Sequence, residues 1–263
     1  MSYIPSVDII MPTFHTKELA IVCIKSFLKF SDGFDFNFYV IENSNDDYSD
    51  SIVSLSDKVK WIQNPIQETG SDALGCTLDL GISKAESDYV FMSHADVVAC
   101  NKNWMKFLFD KIEKEKYDVC GFHGYWGYSS WHPKRIDGAH PAGTLLKTEI
   151  AKKVSMRPTY EGGRMVEDSA GQLSHYCKDN DLKTFICKNS IMDEYNHDWY
   201  FKNRGDDPFK SFGKSVRSFD DEYNVLFIHL KRGVPKSVGT YNKKKSGIIL
   251  RDDWVELVYK EIL

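Results

Sequence analysis

Several signatures that would fix a function early are missing from this chain. No GxGxxG follows an apolar run, which removes the fingerprint of a dinucleotide-binding dehydrogenase. The six cysteines, Cys23, Cys76, Cys100, Cys120, Cys177 and Cys187, form no CxxC pair and lie mostly in apolar surroundings. They read as reduced core residues and not as a zinc site or a disulfide framework. A basic surplus is lacking too: the net charge is -4 and the pI about 6.1, with Lys243-Lys244-Lys245 as the only dense basic run. That balance argues against a nucleic-acid partner, whose phosphates call for a basic face. No stretch approaches the roughly 18 apolar residues of a membrane span, and residues 1–7 show no basic-then-apolar leader. The expectation is a soluble cytoplasmic protein. Repeats and low-complexity tracts are absent, and 263 residues suffice to bury a full core without staples.

What is present centres on Asp88 to Val98, DYVFMSHADVV. Tyr89-Val90-Phe91-Met92 is a short apolar run with aromatic and β-branched members, which predicts a strand buried on both faces of a parallel sheet. Such a strand does not ordinarily end in Ser93-His94-Ala95-Asp96, because a buried imidazole and carboxylate need a partner. At the carboxyl end of a strand in an open α/β sheet, that partner is a metal or a phosphate-bearing ligand. The plainer alternative is that Asp96 caps a following helix.

The remaining pattern alternates β and α. Strands are predicted at Val7 to Met11, stopped by Pro12, at Phe36 to Ile41 and at Val59 to Ile62. Helices follow each, with Thr16 as a cap before Leu19, Cys23 and Phe27, and with Gly70-Ser71-Asp72 opening the third. This rhythm predicts an α/β fold, a mostly parallel doubly wound sheet flanked by helices. Its carboxyl edge would collect Pro12-Thr13-Phe14, Glu42-Asn43, Gly70 to Asp72 and His94 to Asp96. The second half is less regular. It offers a helix from Asn103 to Glu115, an aromatic segment from Tyr125 to Pro133, a strand at Thr144 to Leu146 before a short helix capped by Thr148, and a loop at Glu161-Gly162-Gly163-Arg164. Glu167-Asp168 stands before a helix from Ser169 to Lys178, where a bland reading makes it a charge pair favouring the helix dipole. Strands at Thr184 to Cys187 and Tyr223 to Ile228 follow, the latter delivering His229. His197 lies in the polar aromatic stretch between them, and Trp254 starts an apolar helical face in the tail.

In this order the segments VDIIMPTFHT, VIENSNDD, TGSDALGCTLDLGISKAESDYVFMSHADVV, HPAGTLLKTEI and MVEDSAGQLSHYCKDNDLKTF resemble family 2 glycosyltransferases of the GT-A, Rossmann-like fold, over about residues 7 to 200. The resemblance implies transfer of a sugar from a nucleotide-diphosphate sugar, by default a UDP-sugar, to a saccharide or lipid-linked acceptor, with inversion, as in polysaccharide biosynthesis. It implies one GT-A domain over residues 1–263. Within it, 1–100 form the nucleotide-sugar half, 101–230 a smaller mixed acceptor-side and catalytic half, and 231–263 a C-terminal loop and helix. Pro12, Thr13, Phe14, Glu42, Asn43, Gly70, Ser71, Asp72, His94 and Ala95 would bind the nucleotide. Asp96 falls on the second acid of the family's DxD motif, while His94 replaces the first.

Oxygen ligands suit Mg²⁺ or Mn²⁺, and an added imidazole tilts the set toward Mn²⁺. His94 is then a replacement ligand or orients one, and His197 or His229 supplies a further ligand unless both are structural. Asp168 takes the place of the general base, with Glu167 orienting it or holding the acceptor. The aromatic segment and the Trp254 helix could complete the core, stack a sugar, meet a lipid-linked acceptor at a membrane surface or join a second copy in a homodimer. Two other classes compete. The missing DxD acid suits a nucleotide-sugar binding module without turnover, which the presence of Asp96 and Asp168 opposes. A sugar-phosphate nucleotidyltransferase would carry glycine and arginine after the first strand, where Met11 to His15 has neither.

Overall fold

A computed structural model describes residues 5–31, 33–64, 68–122, 124–125, 138–190, 207–213, 215–230 and 249–263. The chain opens with β1 (Ser6–Thr13), α1 (Lys17–Phe30), β2 (Asp35–Glu42), α2 (Ser49–Val53), β3 (Val59–Gln63), α3 (Gly70–Lys84) and β4 (Tyr89–Met92). The strands pair in parallel in the order β3-β2-β1-β4. Parallel neighbours need crossovers, and the helices between them serve as such. Side-chain alternation then sets the layers. Val7, Ile9, Met11, Phe38 and Phe91 share one core with Leu19, Cys23 and Phe27 of α1. Ile10, Tyr39, Ile41, Val90 and Met92 share the other with Leu78 and Ile82 of α3. Covering on both faces is why these strands are apolar throughout. At Gly81 α3 approaches so closely that a Cβ would collide with Ile10 and Ile41.

Beyond β4 the order changes. The elements are β5 (Val97–Ala99), α4 (Trp104–Glu113), β6 (Val119–Gly121), β7 (Gly124–Tyr125), β8 (Gly138–Ala139), β9 (Thr144–Lys147), α5 (Thr148–Ala151), β10 (Thr159–Glu161), β11 (Arg164–Glu167), α6 (Gly171–Asp179) and β12 (Thr184–Ile186). β13 (Lys188–Asn189), β14 (Val216–Phe219), β15 (Val225–His229) and α7 (Arg251–Glu261) complete the series. β9 lies antiparallel between β4 and β6, giving a seven-stranded sheet in the order β12-β6-β9-β4-β1-β2-β3. β5 leaves this sheet and joins an antiparallel one, β13-β14-β15-β5. Aromatic packing fastens the two together. Trp104 lies 5.1 Å from Phe27, 5.2 Å from Phe91 and 5.2 Å from Phe227, ring centre to ring centre. Each such ring, fully buried, stabilises the fold by roughly 1.5–3 kcal/mol.

The doubly wound α/β expectation holds, and several local expectations do not. Pro12 lies inside β1 instead of stopping it. Ile10 C=O accepts from Ser93 N–H at 2.9 Å, so Pro12, two residues on, turns its missing N–H toward the side that β4 has already left. Thr16 occupies the N-cap position of α1, but its hydroxyl accepts from Phe14 N–H at 3.3 Å and caps nothing. Asp96 precedes a strand, not a helix. Thr148 begins α5 and spends its hydroxyl on Ser87 C=O at 2.6 Å. The Gly162-Gly163 segment is a tight hairpin turn, with φ of 55° and 76°, because glycine accepts left-handed backbone without strain. Glu167 ends β11, and α6 starts only at Gly171 after left-handed Ala170, so the acid pair does not open the helix. Residues 126–133, His197 and residues 243–245 lie outside the described residues. Among those described, no helix is long and apolar enough to cross a membrane.

Candidate active site

The chain crosses from the large sheet to the small one between Met92 and Val97, and His94 and Asp96 sit on that crossing. β15 runs antiparallel to β5 with His229 opposite Val97, and Leu230 N–H donates to Asp96 C=O at 3.0 Å. This register carries the His229 imidazole to Asp96, Nε2 to Oδ1 at 3.2 Å. His94, Asp96 and His229 thereby place one ligand atom each within 4.8 Å of one another. Asp96 and His229 are buried and His94 is partly so. The Nε2 atom of His94 is closed off from water and has no hydrogen-bond partner among the described residues. Such an atom is costly unless something else meets it. Burial pushes the His94 pKa down to about 4, against the opposing pull of Asp96, so the imidazole is neutral at pH 7 and keeps a lone pair. Two imidazoles and a carboxylate gathered this way fit a divalent cation.

The strand-end residues beside this cluster are tied to the chain itself. Thr13 Oγ1 donates to Ile41 C=O at 3.2 Å, and Pro12 and Ala95 are buried. Glu42 is fully buried; its carboxylate accepts from Ser44 N–H at 2.8 Å, His15 N–H at 3.3 Å and the Tyr48 hydroxyl. Asn43 Nδ2 donates to Ala73 C=O at 3.0 Å, and its Oδ1 accepts from Asn64 at 2.7 Å. Phe14 is partly exposed and packs edge-on to His15 at 4.4 Å. His15, in left-handed backbone with φ of 51°, reaches Asp46 through Nδ1 at 2.6 Å. At the start of α3, exposed Gly70 takes φ of 62°, Ser71 C=O accepts from the Ser169 hydroxyl at 2.7 Å, and Asp72 accepts from the Tyr160 hydroxyl. α3 is thus joined to the turn that carries Asp168.

The two adjacent acids part company. Glu167 Oε1 meets His175 Nε2 of α6 at 2.7 Å. Asp168 lies close enough to His94 and to Tyr160 for its charge to raise the pKa of each. Sequence reasoning missed His140, whose ring stands 5.6 Å from that of His94 and whose Nδ1 accepts from Ala142 N–H at 3.1 Å. Its only local signal is a place just before Pro141 and β9. Of the two downstream histidines, His229 is the one seen in the cluster.

A mostly parallel, helix-flanked sheet with an acid and imidazole cluster at the end of its central strand has the architecture of the GT-A glycosyltransferases. Residues 8–173 match the model for Glycosyl transferase family 2, and the chain belongs to that family. Among solved structures it is similar to the mannosyltransferase PcManGT from Pyrobaculum calidifontis in complex with GDP-Man and Mn²⁺, at 12% identity over 77% of this chain and 61% of that one, with a TM-score of 0.50. It is also similar to S. aureus TarS, at 17% identity over 72% and 35% of the two chains, TM-score 0.50. TarS 1-349 in complex with UDP-GlcNAc aligns at 17% identity over 56% and 47%, TM-score 0.44. The chain spans less than two thirds of each of these structures. The likeness is one of fold. No curated protein matches the chain in sequence.

Proposed function

We propose that this chain moves a sugar from a nucleoside-diphosphate sugar, with UDP as the nucleotide, onto a saccharide or lipid-linked acceptor in the cytoplasm, with inversion. The observation that carries the proposal is the His94, Asp96 and His229 cluster at the end of β4, beside the strand-end loops and within charge range of Asp168. We take residues 1–100 as the donor side, 101–230 as the acceptor side and 231–263 as a closing loop and helix. Pro12 to Phe14, Glu42, Asn43, Gly70 to Asp72 and Ala95 shape the nucleotide crevice. Glu42 and Asn43 act chiefly by fixing its loops, since their side-chain bonds run to the chain itself.

His94, Asp96 and His229 would hold a divalent cation, which when bound neutralises charge on a departing diphosphate. Their nitrogen-containing set suits Mn²⁺ better than Mg²⁺. The Mn²⁺ and GDP-Man in PcManGT support an ion and a nucleotide sugar in this kind of fold. Asp168 accepts the proton of the attacking acceptor hydroxyl. Glu167, fastened to His175, positions the turn that presents Asp168.

A binding module without turnover is the second reading, favoured by His94 at the place of an acid. One experiment separates the two: a panel of nucleotide sugars scored by calorimetric binding and by transfer or hydrolysis, with and without Mn²⁺. Ion-dependent binding together with turnover is expected. Binding without turnover on any acceptor selects the module, and no ion-dependent binding defeats both. An α-linked product from an α-configured donor would remove inversion.

A further inference from the structure

The β10–β11 hairpin leaves two large apolar side chains in water, Tyr160 at 48% exposure and Met165 at 43%. They are direct cross-strand partners, so both stand on the same face of the ribbon and make one patch. The ring is fastened at its tip, where the phenol donates to Asp72 in the first turn of α3. That bond pushes the phenol pKa up to about 12, so the hydroxyl remains a donor at neutral pH. The charges of Asp168 and Glu68 act on the same phenol. A tethered aromatic face therefore stands at the opening of α3, on the hairpin whose other strand leads into Asp168 and within range of that residue's charge.

The chemistry of that setting selects its occupant. Beside the ring an anionic diphosphate would face the charge of Asp168, while Asp72 is engaged by the phenol and Glu68 is paired with Arg157 at 3.4 Å. A neutral sugar ring has an apolar C–H face that a tyrosine can cover and a rim of hydroxyls that carboxylates can accept from. We propose that Tyr160 and Met165 form the platform on which the acceptor's sugar ring stacks, presenting its hydroxyl to Asp168. The proposal rests on the reading of Asp168 as base, and it names the acceptor class for that site.

The test begins with binding, which needs no turnover. Wild type, Tyr160→Ala and Tyr160→Phe are compared by saturation-transfer NMR against methyl glucosides, methyl galactosides, maltotriose, cellotriose and chitotriose. Wild type is expected to bind at least one of these, Tyr160→Ala to bind it about tenfold more weakly, and Tyr160→Phe to bind nearly as well, since the ring face is the contact. With a transfer assay, Tyr160→Ala should raise the acceptor KM and leave the donor KM alone. Equal saccharide binding by wild type and Tyr160→Ala overturns the platform, as does a wild type that binds none of the panel or a change confined to the donor KM. A wild type that binds saccharide through Tyr160 yet transfers nothing removes the catalytic reading and leaves the platform in place.

Discussion

The carboxyl ends of β2 and β4 flank β1 and carry the same kinds of polar residue, yet they meet opposite fates. At β2, Glu42 is fully buried and three donors of its own chain meet it. At β4, the buried Nε2 of His94 has no hydrogen-bond partner among the described residues, and Asp96 is approached by an imidazole from the second sheet. A strand end whose polar groups are met internally is scaffolding. One that leaves such a demand unmet among the described residues is where an added partner gains the most. Glu167 and Asp168 also differ as neighbours: Glu167 meets His175, while Asp168 accepts from Ser169 N–H at 2.8 Å and acts by its charge on His94 and Tyr160.

The contrast breaks most sharply at Asp96. Asp96→Ala is expected to lower metal-dependent turnover on the order of 10⁴-fold, since an ion's charge stabilisation amounts to several kcal/mol, and to weaken ion-dependent UDP binding in calorimetry. Unchanged ion-dependent affinity in a folded variant would return Asp96 to a structural role. Asp168→Asn keeps size but cannot take a proton, so kcat should drop about 10³-fold with donor affinity intact. A loss of donor binding instead would place Asp168 on the donor side.

Glu42→Ala tests the scaffolding end. It strands the Ser44 and His15 amides and the Tyr48 hydroxyl, which should cost about 3 kcal/mol, read as a lower denaturation midpoint at unchanged m-value. A midpoint equal to wild type would mean those bonds do not brace the fold. His94→Asp should retain activity and shift the Mg²⁺ to Mn²⁺ activity ratio about tenfold toward Mg²⁺, because an all-oxygen set suits the harder ion. An unaltered ratio would make His94 an orienting residue and not a ligand. The smallest effect is expected at Glu167→Gln. Its partner His175 is 38% exposed, so solvent screens the pair to about 0.2–1 kcal/mol, and kcat should change less than about threefold. A loss as deep as that of Asp168→Asn would erase the distinction between the two acids.

The layered half of the fold was legible because strands buried on both faces must be apolar throughout, as in β1, β2 and β4. Direction was not legible. Nothing in Thr144-Leu145-Leu146-Lys147 says that it runs antiparallel between β4 and β6. Val97-Val98-Ala99 is too short to show a period, which is why a helix after Asp96 was a fair alternative. β14 escaped notice because fully buried Arg217 interrupts its apolar run; the guanidinium reaches Gly213 C=O at 3.2 Å and Asp207 at 3.3 Å, partners that only tertiary structure supplies. In the site, His94 and Asp96 stood out by their strand-end position. The weight on His229 required knowing that β15 pairs with β5, and His140 required knowing where β9 inserts. Glu167 and Asp168 part where the strand ends: Glu167 is the last residue of β11 and Asp168 the first of the turn before α6, a boundary the sequence does not mark.

The small sheet also sets a timetable. His94 and Asp96 are made before α4, while His229 arrives only with β15, so during synthesis two members of the described cluster wait for the third until the small sheet forms. The third donor enters when β15 zips onto β5, a pairing of distant segments that must meet the entropy of closing a long loop. An ion held by this cluster would thus be held by the finished domain and not by any early piece. A bound cation would stabilise the latest of these contacts most, slowing the opening of the small sheet more than that of β1 to β4.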